Sequence, residues 1–140
     1  MIDLPLLSQS LPLLFRGALV SIQIALCASV IGIALGALLG VIQTQCSRWL
    51  RYLVTAYVTV FRGTPMLIQI FFVFYVLPQA GILIPAIWSA TLAIGFNSAA
   101  YISQVVRSGI LAVPRGQIDA AKTLGMTRYQ TTRLIVLPQA

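Results

Sequence analysis

The sequence predicts an all-α integral membrane protein with about three transmembrane helices. Of its 140 residues, 59% are hydrophobic and only 8% are charged. A soluble domain carries about 25% charged residues because its surface faces water, so this composition fits a surface that faces lipid. Residues 17–47 and 63–106 contain no Lys, Arg, Asp or Glu. Each stretch exceeds the roughly 20 apolar residues that cross a bilayer.

The first predicted span covers residues 17–43. It has no basic segment before it and is too long for a signal peptide, so we expect a retained helix. Small residues recur in it at every fourth position, in Ala28, Gly32, Gly36 and Gly40. In lipid such a row lets a second helix approach closely, because helix association there depends on packing. We expect a packing face, and a direct role in transport is the alternative.

The second predicted span is broken or kinked. Residues 65–77 alone would reach only about 20 Å as a helix, which is less than the hydrocarbon core of roughly 30 Å. The span therefore includes residues before Thr64, and this puts Arg62 at the membrane boundary, with its side chain reaching toward the headgroups. Thr64 is expected to cap a helix that begins at Pro65. A short uncharged turn is predicted at residues 77–85.

The third predicted span runs from about residue 85 to residue 106 and carries a polar face. Asn97, Tyr101 and Gln104 follow each other at helical spacing, with Ser98 beside them. Polar groups in a membrane face the bundle interior or a wet cavity, because lipid cannot satisfy them. Two interpretations stay open for these four residues: hydrogen bonds between helices, or the lining of a transport pathway.

The distribution of cations predicts the orientation. By the positive-inside rule, connections rich in Lys and Arg are cytoplasmic. The 77–85 turn has no cation, whereas residues 43–62 and 107–133 have several, namely Arg48, Arg51, Arg62, Arg107, Arg115, Lys122, Arg128 and Arg133. These two segments are therefore expected in the cytoplasm. The N-terminus, with Arg16 against Asp3, is expected outside.

The cytoplasmic segment after the third span reads as a helix, a turn and another helix. Pro114 suits a helix start, Gln117 to Leu124 makes about two turns, and Gly125 suits the left-handed position beyond a helix end. Thr127 and Gln130 fit a capping box for the next helix.

The short helix in this segment looks like a docking element. Asp119 is expected near its positive N-terminal dipole. Ala120, Ala121 and Leu124 would form a narrow face of small residues that fits a partner's groove. Because a two-turn helix has little stability alone, something must hold it. Packing against the membrane helices is the alternative to a partner.

The sequence lacks the residues that several classes of function require. There is no histidine, and Cys27 and Cys46 form no paired motif, so no metal, cofactor, disulfide or catalytic group is expected. The chain has no phosphate-binding loop, so any ATP hydrolysis belongs to a partner. The cations lie between apolar runs, which indicates topology rather than nucleic acid. The only acidic residues, Asp3 and Asp119, lie outside the predicted spans, and this disfavours proton coupling. An ion-coupled secondary transporter or a membrane-complex assembly subunit stays an alternative.

The polar segment carries a family resemblance. Asp119-Ala120-Ala121, then Gly125 and "IVLP" at the family's spacing, resemble the "EAA" loop of ABC importer permease subunits, with Asp119 in place of glutamate. "FRGTPMLIQIFF", "FNSAAYISQVVRSGI", "VPRGQIDAAKTLGM" and "VLPQA" resemble the branch that imports polar amino acids such as histidine, glutamine or arginine. The similarity begins at about residue 11. Relatives often have an acidic residue where Gln104 stands.

The resemblance implies a fold and a set of partners. Residues 1–140 would form part of an ABC type I importer transmembrane domain, incomplete at the C-terminus because the family continues past "LPQA". Residues 115–126, through Asp119, Ala120, Ala121 and Gly125, would couple to a separate cytoplasmic ATPase. An extracytoplasmic amino acid-binding protein and a second permease subunit, identical or different, would complete a multi-pass importer of the bacterial inner membrane. The substrate-path candidates are Asn97, Ser98, Tyr101 and Gln104.

Overall fold

The computed structural model describes the backbone of residues 4–139 and the side chains from residue 10 onward, so Asp3 lies outside the described residues. Within that part, the chain contains helices and turns and no strand, which confirms the all-α prediction. The helices are α1 (Leu4–Gln45), α2 (Arg48–Gly63), α3 (Met66–Phe71, then Phe72–Val76 and Leu77–Ala80), α4 (Ala86–Ala112), α5 (Arg115–Thr123) and α6 (Arg128–Thr131, then Thr132–Val136). Two of them continue in altered form: α3 passes into a π-helix and a 3₁₀ turn, and α6 passes into a π-helix.

Length and apolarity single out one helix of the described chain as a clear membrane span, Ser10–Gln45 within α1. Its 36 residues extend about 54 Å, more than a hydrocarbon core of roughly 30 Å. Helices α2 and α3 together form a second candidate span if the bent pair is counted as one membrane-crossing segment. Helix α4, with 27 residues, is long enough at about 40 Å, although polar side chains interrupt its sequence.

The glycine row of α1 packs directly on α4. A Cβ atom on Gly32 would lie 2.8 Å from the Cβ of Ser98. One on Gly36 would lie 2.7 Å from the Cβ of Ile102, and Gly40 meets α4 in the same way one turn further on. Since real Cβ atoms do not approach so closely, only glycine permits this helix contact. The packing interpretation of the row is therefore confirmed.

The break after α2 is a sharp corner rather than a kink. The axes of Arg48–Gly63 and Met66–Ala80 differ by 104°. The prediction that Thr64 caps a helix from Pro65 is wrong, because Pro65 itself is the N-cap residue and no side-chain cap bond is present. The Thr64 hydroxyl instead donates to the carbonyl of Val60 at 2.9 Å and accepts from the Gln69 amide at 2.7 Å.

Three sequence-based boundaries also shift. The predicted turn at 77–85 begins as a 3₁₀ helix through Ala80 and turns at Gly81, where φ is +82°. The third span ends at Ala112 rather than near residue 106, so Arg107 lies inside α4. The predicted connection at residues 43–62 shortens to Cys46 and Ser47, because Arg48, Arg51 and Arg62 all lie within α2.

A small apolar cluster joins the C-terminal segment to the membrane helices. Ile110 and Val113, at the end of α4, pack with Val136 at the end of α6. Val41 of α1 and Ile118 of α5 cover this cluster from two sides. The cluster thereby attaches α5 to the C-terminal ends of α1 and α4, close to the connection between α1 and α2.

Candidate functional site

The first candidate site is the predicted coupling segment, residues 115–126, and its short helix ends in a defined turn. The amide of Gly125 donates to the carbonyl of Lys122 at 2.9 Å, and the amide of Met126 donates to that of Ala121 at 3.1 Å. These two bonds form a Schellman motif. It requires a left-handed residue, and Gly125 has φ of +75°. The predicted glycine turn is confirmed.

The helix that follows the turn begins with the predicted capping box. The amide of Gln130 donates to the Thr127 hydroxyl at 3.3 Å, and the Thr127 amide donates to the Gln130 side chain at 2.8 Å. Each bond satisfies a backbone donor that a helix start leaves free. The coupling segment is therefore held at both ends of its turn.

The structure divides the small residues of α5 between two sides. Ala121 is only 1% exposed and faces inward, where α5 packs against α6 and its continuation. This corrects the prediction that Ala121 belongs to an outward docking face. Ala120 is exposed, Leu124 is 81% exposed, and nothing lies within 4 Å of a Cβ built on Gly116. Gly116, Ala120 and Leu124, spaced four residues apart, therefore form one exposed row of small residues that ends in a leucine, and the charged and polar side chains of α5 are exposed beside this row.

Asp119 does not stand at the start of α5. The helix begins at Arg115, so Asp119 lies in the second turn and the first turn has no acid. The prediction of a dipole role is wrong because the helix starts two residues earlier than Gln117. The Asp119 carboxylate accepts a hydrogen bond from the Lys122 ammonium at 2.8 Å, and this bond together with the charges of Lys122 and Arg115 lowers the pKa of Asp119.

The four substrate-path candidates fall into two groups. The Asn97 amide donates to the carbonyl of Phe61 at 3.3 Å and to the Gln69 side chain at 3.1 Å, which places it at the α2–α3 corner. Ser98 faces α1 at Gly32. Tyr101 and Gln104 lie apart from these contacts and line a cavity that Asn97 and Ser98 do not reach.

That cavity, the basic groove, lies between α1, α2 and α4 and has a volume of about 470 Å³. The Arg62 guanidinium carbon stands 5.1 Å from the centre of the Tyr101 ring, within the range of a cation–π contact. The Gln104 amide donates to the side-chain oxygen of Gln43 at 3.0 Å. The lining of the groove includes Gln43, Thr55, Arg62, Tyr101, Gln104 and Arg107.

Sequence reasoning missed two of the glutamines that organise this region. Gln69 interrupts the apolar run "MLIQIFF" and Gln43 lies near the end of α1. A glutamine in a membrane helix is a signal in itself, because lipid cannot satisfy its amide. Their partners, Phe61 and Asn97 for Gln69 and Gln104 for Gln43, are distant in sequence and gave no local pattern.

Comparison with known proteins places the chain in a family. Residues 32–140 match the family described as "Binding-protein-dependent transport system inner membrane component". A probable amino-acid ABC transporter permease protein, y4tG of Sinorhizobium fredii, is 38% identical over 93% of this chain and 56% of its own length. The arginine transport system permease protein ArtQ of Bacillus subtilis is 35% identical over 93% of this chain and 60% of its own. The octopine transport system permease protein OccM of Rhizobium radiobacter is 40% identical over 90% and 57%.

Solved structures agree. The crystal structure of an amino acid ABC transporter with histidines matches with a TM-score of 0.87 and 31% identity, over 99% of this chain and 65% of that one. An inward-facing MetNI methionine ABC transporter matches with a TM-score of 0.77 at 23% identity, over 99% and 65%, and supports the fold alone. The chain spans more than half the length of the curated relatives named above. The fold is that of part of an ABC importer transmembrane domain, and the chain belongs to the family of inner membrane components of binding-protein-dependent transport systems.

Proposed function

We propose that this chain forms part of the permease subunit of an ATP-driven importer for a polar amino acid. Its family membership and the named functions of its relatives, which include an arginine and an octopine permease, support this role. An ion-coupled or assembly function has no comparable support. The protein acts as a transport component, and ATP hydrolysis belongs to a separate subunit.

The coupling segment is the observation that carries the proposal. A two-turn helix is unstable alone, yet α5 is fixed by the buried Ala121, by the turn at Gly125 and by the capping box at Thr127. This support leaves the side with Ala120 and Leu124 exposed. A rigid helix that presents small side chains suits close contact with a groove on another protein, and we assign that groove to the cytoplasmic ATPase.

The remaining parts of the proposal concern the assembly. The chain crosses the bacterial inner membrane several times, with its N-terminus outside and both the α1–α2 connection and the coupling segment in the cytoplasm. Arg48 and Arg51 in the first turn of α2, Arg115 and Lys122 in the coupling segment, and the uncharged 77–85 turn support this orientation. A second permease subunit, identical or different, and an extracytoplasmic amino acid-binding protein complete the importer.

The coupling role predicts the effect of a bulky charge on the outer side of α5. In the assembled importer, Ala120→Arg should reduce substrate-stimulated ATP hydrolysis about tenfold or more, because the side chain prevents close approach at an interface core. Ala120→Ser, a small replacement at the same place, should leave the stimulation near the wild-type value. The measurement is ATPase activity in proteoliposomes with and without substrate-loaded binding protein. Unchanged stimulation in Ala120→Arg would remove the coupling assignment.

A further inference from the structure

The basic groove contains positive charge without a compensating carboxylate. In the described part of the chain the only acidic residue is Asp119, which lies on α5 and pairs with Lys122. Arg62 and Arg107 both line the groove, and neither forms an ion pair with a described residue. A guanidinium beside low-dielectric helices is stabilised by an anion with two oxygens, which its planar fork binds bidentately.

The hydrogen bonds in the groove leave a donor free as well. The Gln43 side-chain oxygen accepts from Gln104. The Gln43 amide nitrogen is buried and has no hydrogen-bond partner among the described residues, while the residue as a whole is only 8% exposed. A buried donor without a partner costs roughly 1–3 kcal/mol. A ligand oxygen in the groove would satisfy this nitrogen.

The polar residues of α2 continue the positively charged, polar surface of the groove along the helix. Arg51, Thr55 and Arg62 recur at helical spacing on an exposed side, while Val54 and Val58 are buried against the other helices. An adjoining cavity continues the groove from Thr55 and Arg107 to Arg48 at the start of α2. Arg48 and Arg62 stand at opposite ends of this 16-residue helix, roughly 20 Å apart.

We propose that the basic groove binds a side-chain carboxylate of the transported solute between Arg62 and Arg107, so that the importer favours solutes with a net negative charge. The Tyr101 ring holds the Arg62 guanidinium in place, and the free Gln43 amide adds a donor. This inference rests on the proposed importer function. A lipid phosphate offers the same chemistry, and nanodiscs with and without an anionic lipid distinguish it from the solute.

The test compares two isosteric amino acids that differ in charge. L-glutamate and L-glutamine are titrated calorimetrically into the assembled importer in nanodiscs of phosphatidylcholine, without ATP. We expect L-glutamate to bind more tightly, and Arg107→Gln to weaken its binding about tenfold or more while L-glutamine changes little. Arg133→Gln, the same replacement outside the groove, is the control. Gln104→Glu should also weaken L-glutamate binding, through like-charge repulsion rather than loss of a donor.

Three outcomes would overturn the inference. One is equal affinity for L-glutamate and L-glutamine; another is L-glutamate binding that neither Arg107→Gln nor Gln104→Glu changes. The third outcome uses nanodiscs that contain phosphatidylglycerol. If L-glutamate binding is lost there, and native mass spectrometry shows that the wild type retains phosphatidylglycerol whereas Arg107→Gln does not, the groove binds lipid. ATP-driven uptake in proteoliposomes tests the importer function separately from the proposed carboxylate site. Uptake of L-glutamine without a charge preference would retain the importer function. ATP-independent uptake would reject the importer function.

Discussion

At the scale of single residues, three glycines of α1 set the distance to α4. The close approach places the α4 backbone itself near a Cβ built on Gly36, with the carbonyl oxygen of Ala99 at 3.0 Å. Backbone atoms do not move aside as a flexible side chain does, so a methyl group there must push the helices apart. Gly17, in the same helix, has nothing within 4 Å of such an atom.

Gly36→Ala should therefore lower the stability of the α1–α4 pair. Overpacking of this kind costs about 1–3 kcal/mol, whereas Gly17→Ala should be neutral or stabilising by up to about 1 kcal/mol, since alanine is the better helix former. The measurement is the thermal unfolding temperature of both variants in the same nanodiscs. Equal melting temperatures would show that the glycine row does not determine this contact.

The pKa of Asp119 tests whether its ion pair with Lys122 in the coupling segment forms in solution. Its pKa is lowered by the hydrogen bond and charge of Lys122 and by the charge of Arg115. A lowered folded-state pKa gives a contribution to stability above the unfolded pKa that is lost as the pH falls through the folded value. The contribution is small because the carboxylate is exposed.

Lys122→Gln should raise the pKa of Asp119 toward its ordinary value, without restoring it fully because Arg115 remains. The carboxyl carbon resonance of Asp119, followed by NMR from about pH 6 to about pH 2, reports this pKa directly. A pKa that is the same with and without Lys122 would mean that the ion pair does not form in solution.

At the scale of elements, the corner between α2 and α3 depends on two amides. The Gln69 amide donates to the carbonyls of Phe61 at 2.9 Å and Thr64 at 3.1 Å, which the corner leaves without their helical partners. Asn97 joins α4 to the same place through Phe61 and Gln69. These contacts favour the interhelical interpretation of Asn97 and explain why the corner is fixed.

A double-mutant cycle with Gln69→Leu and Asn97→Leu measures this brace. Each single variant should destabilise the fold, and the coupling energy should be about 0.6–2 kcal/mol, the usual size of a hydrogen bond between membrane helices. The free energies come from reversible unfolding in mixed micelles. Additive effects of the two substitutions would contradict a direct bond between the side chains.

Local signals predicted some of these elements well and others not at all. The glycine row, the turn at Gly125 and the capping box at Thr127 depend on neighbouring residues, so the sequence contains their whole cause. The 104° corner depends on bonds from Gln69 and Asn97 to distant carbonyls. The inward position of Ala121 depends on which side of α5 meets α6, and composition alone does not distinguish it from Ala120. The basic groove joins residues from three helices and has no local pattern.

At the scale of the whole molecule, the orientation in the membrane connects the sites. In the proposed orientation, which follows the positive-inside rule, the turn at Gln79 lies outside and Gln117 of α5 lies in the cytoplasm. Both side chains are exposed, so each place is open to labelling. The two native cysteines, Cys27 and Cys46, are free thiols and must first be replaced by serine.

Labelling of intact cells with an impermeant maleimide should then modify Gln79→Cys and leave Gln117→Cys unmodified until the cells are opened. The reagent does not cross the inner membrane, so the reaction reports the side on which each thiol lies. Reaction of Gln117→Cys alone in intact cells would reverse the proposed orientation and remove the cytoplasmic coupling segment with it.

The central claim is that the outer side of α5 contacts the ATPase, and a photo-cross-linking amino acid at position 120 tests it most directly. With a benzophenone side chain in place of Ala120 in the assembled importer, irradiation should link this chain to the ATPase subunit, identified by mass spectrometry. The same side chain in place of Gln79 should give no such product, because the proposed orientation puts the 77–85 turn on the other side of the membrane. A cross-link to the ATPase from position 79, or none from position 120 in an importer that hydrolyses ATP normally, would contradict the account.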